Sequence, residues 1–251
     1  MGKYLNAEFY KVFRRRTYTL CMLALILGGE ALLLFLLKTA SFSNAATYDD
    51  VLGVLPLSLT VGVYLVLAVC DLVFSDQYKQ NTLKNEVAYG TPRSRIYFGK
   101  LFAAVITAVV FCAVIIGFYL AVGALAFPNV DAARTVEQLM RLVKSLAVAL
   151  PVWLGALSFV IMLLFVMKGS ATVAVVYVFT LSLGEILDLM QVFLPKIGDV
   201  CAFVQRCLIN TPMDTVMNGS FDIPYAWAVG TAWFVASAAI GAICFQKREI
   251  S

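Results

Sequence analysis

Residues 75–100 read SDQYKQNTLKNEVAYGTPRSRIYFGK, the only long, strongly polar run between two long apolar segments. Ser75 can cap a helix, Asp76 and Gln77 suit its first turn, and the residues to Tyr89 are mostly helix-tolerant. Gly90 fits the left-handed position that closes a helix, Thr91 a second N-cap, and Pro92 a first helical position, where a missing N–H costs nothing. The stretch therefore predicts a short helix, a stiff break and the start of a long helix at a set angle. Such an arrangement can act as a lever on one face of a membrane; a solvated loop with helical character is the plainer alternative.

The surroundings decide the fold class. Hydrophobic residues make up 62% of the chain and charged residues 14%, and the mean hydropathy is +0.90, outside the range of soluble domains. A helix needs about 20 predominantly apolar residues to cross a hydrocarbon core of about 30 Å. Six stretches qualify: Tyr18–Leu37, Val51–Phe74, Leu101–Phe127, Ser145–Met167, Ala171–Phe193 and Tyr225–Phe245. The expected fold is an all-α membrane protein of six transmembrane helices, a single transmembrane domain over residues 1–251 with almost no soluble mass. The first span is too long, and too weakly supplied with a small-residue cleavage site, to read as a removed signal peptide.

Lysine and arginine give the orientation. With six spans both termini share a side, and 13 of the 19 basic residues fall there against 6 on the other. Basic residues concentrate in short cytoplasmic segments, so both termini and residues 75–100 are expected in the cytoplasm of a multi-pass cell-membrane protein. The net charge of +4 then reflects topology, and nucleic acid is not an expected partner.

Before the first span, residues 1–17 predict an amphipathic elbow helix at the membrane interface. Leu5, Phe9, Val12 and Phe13 form one face, and Lys3, Lys11, Arg14 and Arg15 the other, as in a helix lying against anionic headgroups of the bilayer. Within the first span, Glu30 follows Gly28 and Gly29. A carboxylate there costs about 2.5–3.5 kcal/mol on insertion scales, so it should face protein or water, or be protonated. The paired glycines are expected to admit a neighbouring helix. Glu185 and Asp188 lie in the fifth span, and with Glu30 they are the candidate substrate-path residues, an acidic belt in the outer half of the membrane. The alternative gives each acid a separate structural contact.

Residues 129–144 carry the apolar stripe Val136, Leu139, Met140 and Val143, which fits an external interfacial helix or an extension of the fourth span. Pro151 should kink that span. Residues 187–224 are too apolar for an aqueous loop and predict short re-entrant or interface-hugging helices on the external side. Cys201 and Cys207 are expected to face outward, with no motif to mark a disulfide.

No histidine occurs, which removes the HExxH metal site and the usual general base. The phosphate-binding pattern G-x-x-x-x-G-K-[ST] is also missing. No cofactor, metal or catalytic residue is therefore expected in this chain. An intramembrane enzyme would have to rely on an acidic pair such as Glu185 and Asp188. A non-transporting membrane anchor or sensor subunit is the other alternative.

The elbow EFYKVFRRR, the loop FSDQYKQNTLKNEVAYGTPRSRIYFGK, the six spans and the closing FQKREI together resemble the ABC type-2 permeases. Within them the chain is similar to the short permeases of bacitracin-resistance and lantibiotic-immunity exporters. The resemblance covers the whole chain and is most specific in the loop and the tail. It implies an exporter of an amphiphilic peptide, antibiotic or lipid-like molecule. It also implies a separate ATP-binding subunit that holds ATP and magnesium, and a second permease copy or a related permease. By position, the helix that couples to that ATPase is Asp76–Tyr89. Leu83 and Val87 should form its apolar contact with Lys79, Lys84 and Glu86 around it, Asp76 opening it and Gly90 and Pro92 forming the joint.

Overall fold

The structure is a computed structural model that describes residues 2–14, 16–40, 46–74, 86–167, 169–193 and 198–247; within these, the side chains of residues 2, 3, 5, 13, 14, 16 and 40 lie outside the description. The described residues are helical, without strands. A short helix α1 (Gly2–Arg14) leads into α2 (Arg16–Ala40) and α3 (Tyr48–Phe74). After a helical turn at residues 86–88 come α4 (Arg93–Ala126), α5 (Ala132–Val166) and α6 (Ser170–Phe193). Two short helices, α7 (Gly198–Arg206) and α8 (Thr211–Met217), precede α9 (Ile223–Lys247). Six of these, α2 to α6 and α9, are long and apolar enough to cross a membrane. Their apolar runs match the six expected stretches, but α4 and α5 begin well before the expected spans.

The bundle is built around α5. Its most extensive neighbour is α9, followed by α3, and α4 also packs on it. Where α5 crosses α9, Gly155 and Gly230 remove the side chains that would hold the backbones apart. A Cβ on Gly230 would meet the backbone of Pro151, and one on Gly155 would meet the Gly230 carbonyl oxygen at 2.8 Å. Small residues at a helix crossing allow this approach in lipid, where burial of apolar surface alone drives little association. Pro151 lies inside α5 at this contact. By contrast α2 and α6 are peripheral, with most of their length facing away from the bundle.

Three buried tyrosines tie neighbouring helices together. Tyr119 of α4 donates to the Val51 carbonyl at 2.9 Å, Tyr177 of α6 to Val63 at 2.6 Å, and Tyr97 of α4 to Ser237 at 3.3 Å. In each case the aromatic ring fills apolar space and its hydroxyl finds a backbone acceptor, which a buried phenol requires.

The chain has two distinct ends. One holds α1, residues 86–92 and the end of α9, because Arg93 donates to the Phe245 and Gln246 carbonyls at 3.1 and 2.8 Å. At the other end, the Asp50 carboxylate accepts from the Thr47 amide and hydroxyl, both at 2.9 Å, at the start of α3, and Tyr48 N–H donates to the Pro128 carbonyl at 3.1 Å. Residues 129–144 prove to be an extension of the fourth span. Asp131 caps the Ala133 and Arg134 amides at 3.0 and 3.4 Å, and α5 then runs on as one helix. The stripe Val136, Leu139, Met140 and Val143 is exposed, whereas Thr135 and Leu142 face inward.

The region after α6 differs from expectation at its start, since α6 continues through residues 187–193. Beyond it, Leu208, Ile209, Met213 and Val216 are buried, and the Ile209 side chain reaches Gly155 of α5. Asn210 donates to the Leu181 carbonyl at 2.9 Å and Trp233 to Cys207 at 2.8 Å. This irregular backbone is thus covered by protein, the condition under which it is tolerated beside hydrocarbon. Cys201 is buried and Cys207 is exposed; both are free thiols.

Candidate functional site

At the α1 end, the break between residues 86 and 93 has a defined geometry. Gly90 has φ +80°. Its N–H donates to the Val87 carbonyl at 3.0 Å, and the Thr91 N–H reaches back to Glu86 at 3.3 Å. This pair of bonds is the Schellman closure of a helix, with glycine in the left-handed position where a Cβ would be strained. The next helix begins one residue later than the sequence pattern predicts. Pro92, with φ −62° and ψ 136°, is itself the capping residue, and its carbonyl accepts from Arg95 and Ile96 at 2.9 and 3.2 Å. Asp76, Lys79, Leu83 and Lys84, the rest of the expected coupling surface, lie outside the described residues.

The break is held by α1. Tyr4 donates to Glu86 Oε2 at 2.9 Å, and Lys11 donates to Glu86 Oε1 and to Glu8 Oε1, both at 2.7 Å. The second Glu8 oxygen accepts from Lys100 of α4 at 3.2 Å, and Glu8 and Lys100 are both fully buried. The Lys100 ammonium also stands 5.8 Å from the centroid of the Phe74 ring, within the range of a cation–π contact. Gly99 makes the approach possible, because a Cβ there would occupy the Tyr4 ring. Two carboxylates and two ammonium groups thus form one chain, Glu86–Lys11–Glu8–Lys100.

Electrostatics favour the charged forms of Glu8 and Lys11. Burial pushes the Glu8 carboxyl up, but the Lys100 charge and the Lys11 hydrogen bond outweigh it and hold the group below its ordinary value. For Lys11, desolvation pulls the ammonium down, and the hydrogen bonds to Glu8 and Glu86 raise it above its ordinary value. The Tyr4 hydroxyl is pushed well above its usual range by burial and by the two nearby carboxylates, so it stays a donor.

These contacts revise several expectations. Lys11 turns away from the headgroup-facing side assigned to it and pairs within the protein. Glu86 faces α1 rather than the coupling surface, and Val87 is half-buried against the core cluster. Val12 is likewise buried in the core, while Phe9 is half-buried. The side chains of Leu5, Phe13 and Arg14, and residue Arg15 altogether, lie outside the description. Sequence reasoning overlooked Tyr4, Glu8 and Lys100. A signal existed in the spacing: Tyr4, Glu8, Lys11 and Val12 fall on one helical face.

A second feature lies between α2, α3 and α4, beneath Trp153 of α5: a cavity of about 350 Å³. Among the described residues Glu30 is the only charged one that lines it, and Glu30 Oε2 is buried with no hydrogen-bond partner among them. Gly28 and Gly29 do not seat a neighbouring helix, since nothing lies within 4 Å of where their Cβ atoms would be. Glu185 and Asp188 do not join Glu30. Both are exposed on α6, outside the cavity lining, and Asp188 accepts from Gln205 of α7 at 2.9 Å. The expected belt of three acids is not assembled within this chain.

Comparison with known proteins gives one family match, to a model described as ABC-2 family transporter protein, over residues 4–208. No curated protein matches the chain.

Proposed function

The chain belongs to the ABC-2 transporter family, and from that premise we propose that it is the permease subunit of an ATP-driven exporter. Membership makes it a multi-pass membrane subunit that works with an ATP-binding partner and is not itself the catalyst. The proposal adds direction, topology and cargo. Both termini lie in the cytoplasm, as the distribution of basic residues favours. ATP and magnesium are held by the partner, which docks on the helix Asp76–Tyr89. Two permeases, identical or related, enclose the path, and the cargo is an amphiphilic peptide, antibiotic or lipid-like molecule of the bacitracin or lantibiotic kind.

The observation that carries this reading is the closed joint at Gly90 together with the hydrogen bonds that Glu86 accepts from α1. A loose loop would absorb a push. A helix end closed by a Schellman pair, followed at once by a proline cap, passes it on as a rotation. When the partner closes on nucleotide, the coupling helix tilts. Pro92 delivers the tilt to α4, and Glu86 delivers it through Tyr4 and Lys11 to α1. Leu83, in the segment before Glu86, is the residue this reading assigns to the docking contact.

The test is co-purification. Expressed with its ATPase partner, the chain should carry the partner through detergent extraction, and Leu83→Asp should release it while membrane insertion stays normal. Retention of a stimulated ATPase by Leu83→Asp would remove the lever assignment.

A further inference from the structure

The cavity between α2, α3 and α4 is almost wholly apolar, yet two of its polar atoms have no partner. Glu30 Oε2 and Trp153 Nε1 are both buried and unbonded, and both residues line the cavity. Among the described residues no lysine or arginine lines it, and the chain has no histidine. A carboxylate at such a site keeps its charge only if a cation meets it. Nothing in the cavity wall supplies one, so either the acid stays protonated or the counter-charge arrives with a ligand.

The shape of the site fits the same requirement. Leu25 of α2 and Leu57 and Val61 of α3 line the cavity and are themselves exposed, at 78%, 52% and 53%. The cavity therefore opens sideways through an apolar rim rather than toward either end of the bundle. Room beside the carboxylate comes from Gly29, which also lines the wall and whose missing Cβ would touch nothing. Sites of about 300–1,000 Å³ with apolar walls and a few polar groups are typical for small molecules.

We propose that this cavity binds a single-chain lipophilic cation, its hydrocarbon chain between α2 and α3 and its ammonium group against the Glu30 carboxylate. The ligand enters from the lipid side through the rim at Leu25, Leu57 and Val61. That the bound cation is transported cargo rests on the permease reading; that it binds does not.

Trp153 provides the readout. The full chain in phosphatidylcholine nanodiscs is titrated with a brominated dodecylammonium and, separately, with a brominated dodecanol of the same length, and tryptophan quenching is followed. The ammonium probe should show a saturable component that Trp153→Phe removes. In the unaltered chain the alcohol should bind at least about tenfold more weakly, a difference of about 1.4 kcal/mol. Glu30→Gln should weaken the ammonium probe by a similar factor and leave the alcohol unchanged. Equal saturable quenching by both probes in the unaltered chain would overturn the proposal, and that comparison needs no variant. Quenching by neither probe would overturn it as well. Because the assay contains no ATPase, its failure leaves partner docking standing, and failure of co-purification leaves the cavity result standing.

Discussion

The Glu8 carboxylate and the Lys100 ammonium pair at 3.2 Å with neither side chain exposed, across 92 positions of sequence. The pair joins α1 to α4 inside the protein, where each charge depends on the other. Removing one partner of such a pair costs about 3–5 kcal/mol, because a buried charge is left alone, whereas replacing both by apolar groups is close to neutral. Glu8→Ala should therefore lower the thermal unfolding midpoint of the purified chain strongly, and Glu8→Leu with Lys100→Met should recover most of the loss. Equal damage from the double and single changes would show that the pair is not the source.

The same cluster should make attachment of α1 depend on pH. Glu8 titrates below its ordinary 4.5 in the folded chain. Its contribution is therefore fully present above 4.5 and disappears as pH falls through the lower folded value. Lys11 is raised above 10.5, so its contribution is present below 10.5 and is lost as pH rises through the higher folded value. Protection factors of the α1 amides, corrected for the intrinsic pH dependence of exchange, should be highest between these limits and should fall on the acid side. In Glu8→Gln the acid step should vanish; an unchanged acid step would assign it to another group.

Glycines on different helices should respond in opposite ways. At Gly230 an added methyl group meets the Pro151 backbone, which cannot move aside cheaply, so Gly230→Ala should destabilise by about 1–3 kcal/mol. At Gly28 it meets nothing, and Gly28→Ala should be neutral or stabilising by up to about 1 kcal/mol through helix propensity. Thermal midpoints of the two variants decide this, and equal shifts would contradict the α5–α9 crossing.

Topology is open to direct labelling. Single cysteines placed at Asn44, Asp131 and Asp222 in a cysteine-free background should react with an impermeant maleimide added outside intact cells. Cysteines at Gln80 and Ser251 should react only after permeabilisation. Labelling of Gln80 from outside would invert the orientation.

Much of the architecture can be read from the chain because its strongest signals are local. A run of some twenty apolar residues has few other fates than a buried or membrane helix. Gly90 and Pro92 act on their own backbone, so the helix closure was legible and only the cap was misplaced, by one residue. The Glu8–Lys100 pair was not legible, because it exists only once two distant segments meet. A count of basic residues treats Lys100 as a topology marker whatever it touches. Glu30 stood out as a charge in an apolar run, but its separation from Glu185 and Asp188 depends on how α2 and α6 sit around α5, which periodicity does not specify.

The central place of the α5–α9 contact has a consequence for biogenesis. The helix that completes the core leaves the ribosome roughly two hundred residues after α2. At about 5–20 residues per second that is a wait of about 10–40 s. During that interval α2, α3 and α4 sit in the translocon or the bilayer, and once α5 has been made its Gly155 face waits for Gly230, about 75 residues further on. A nascent chain stopped before Ile223 should thus remain with the insertion machinery or be degraded, and quality control of this protein is in effect a test for the arrival of α9.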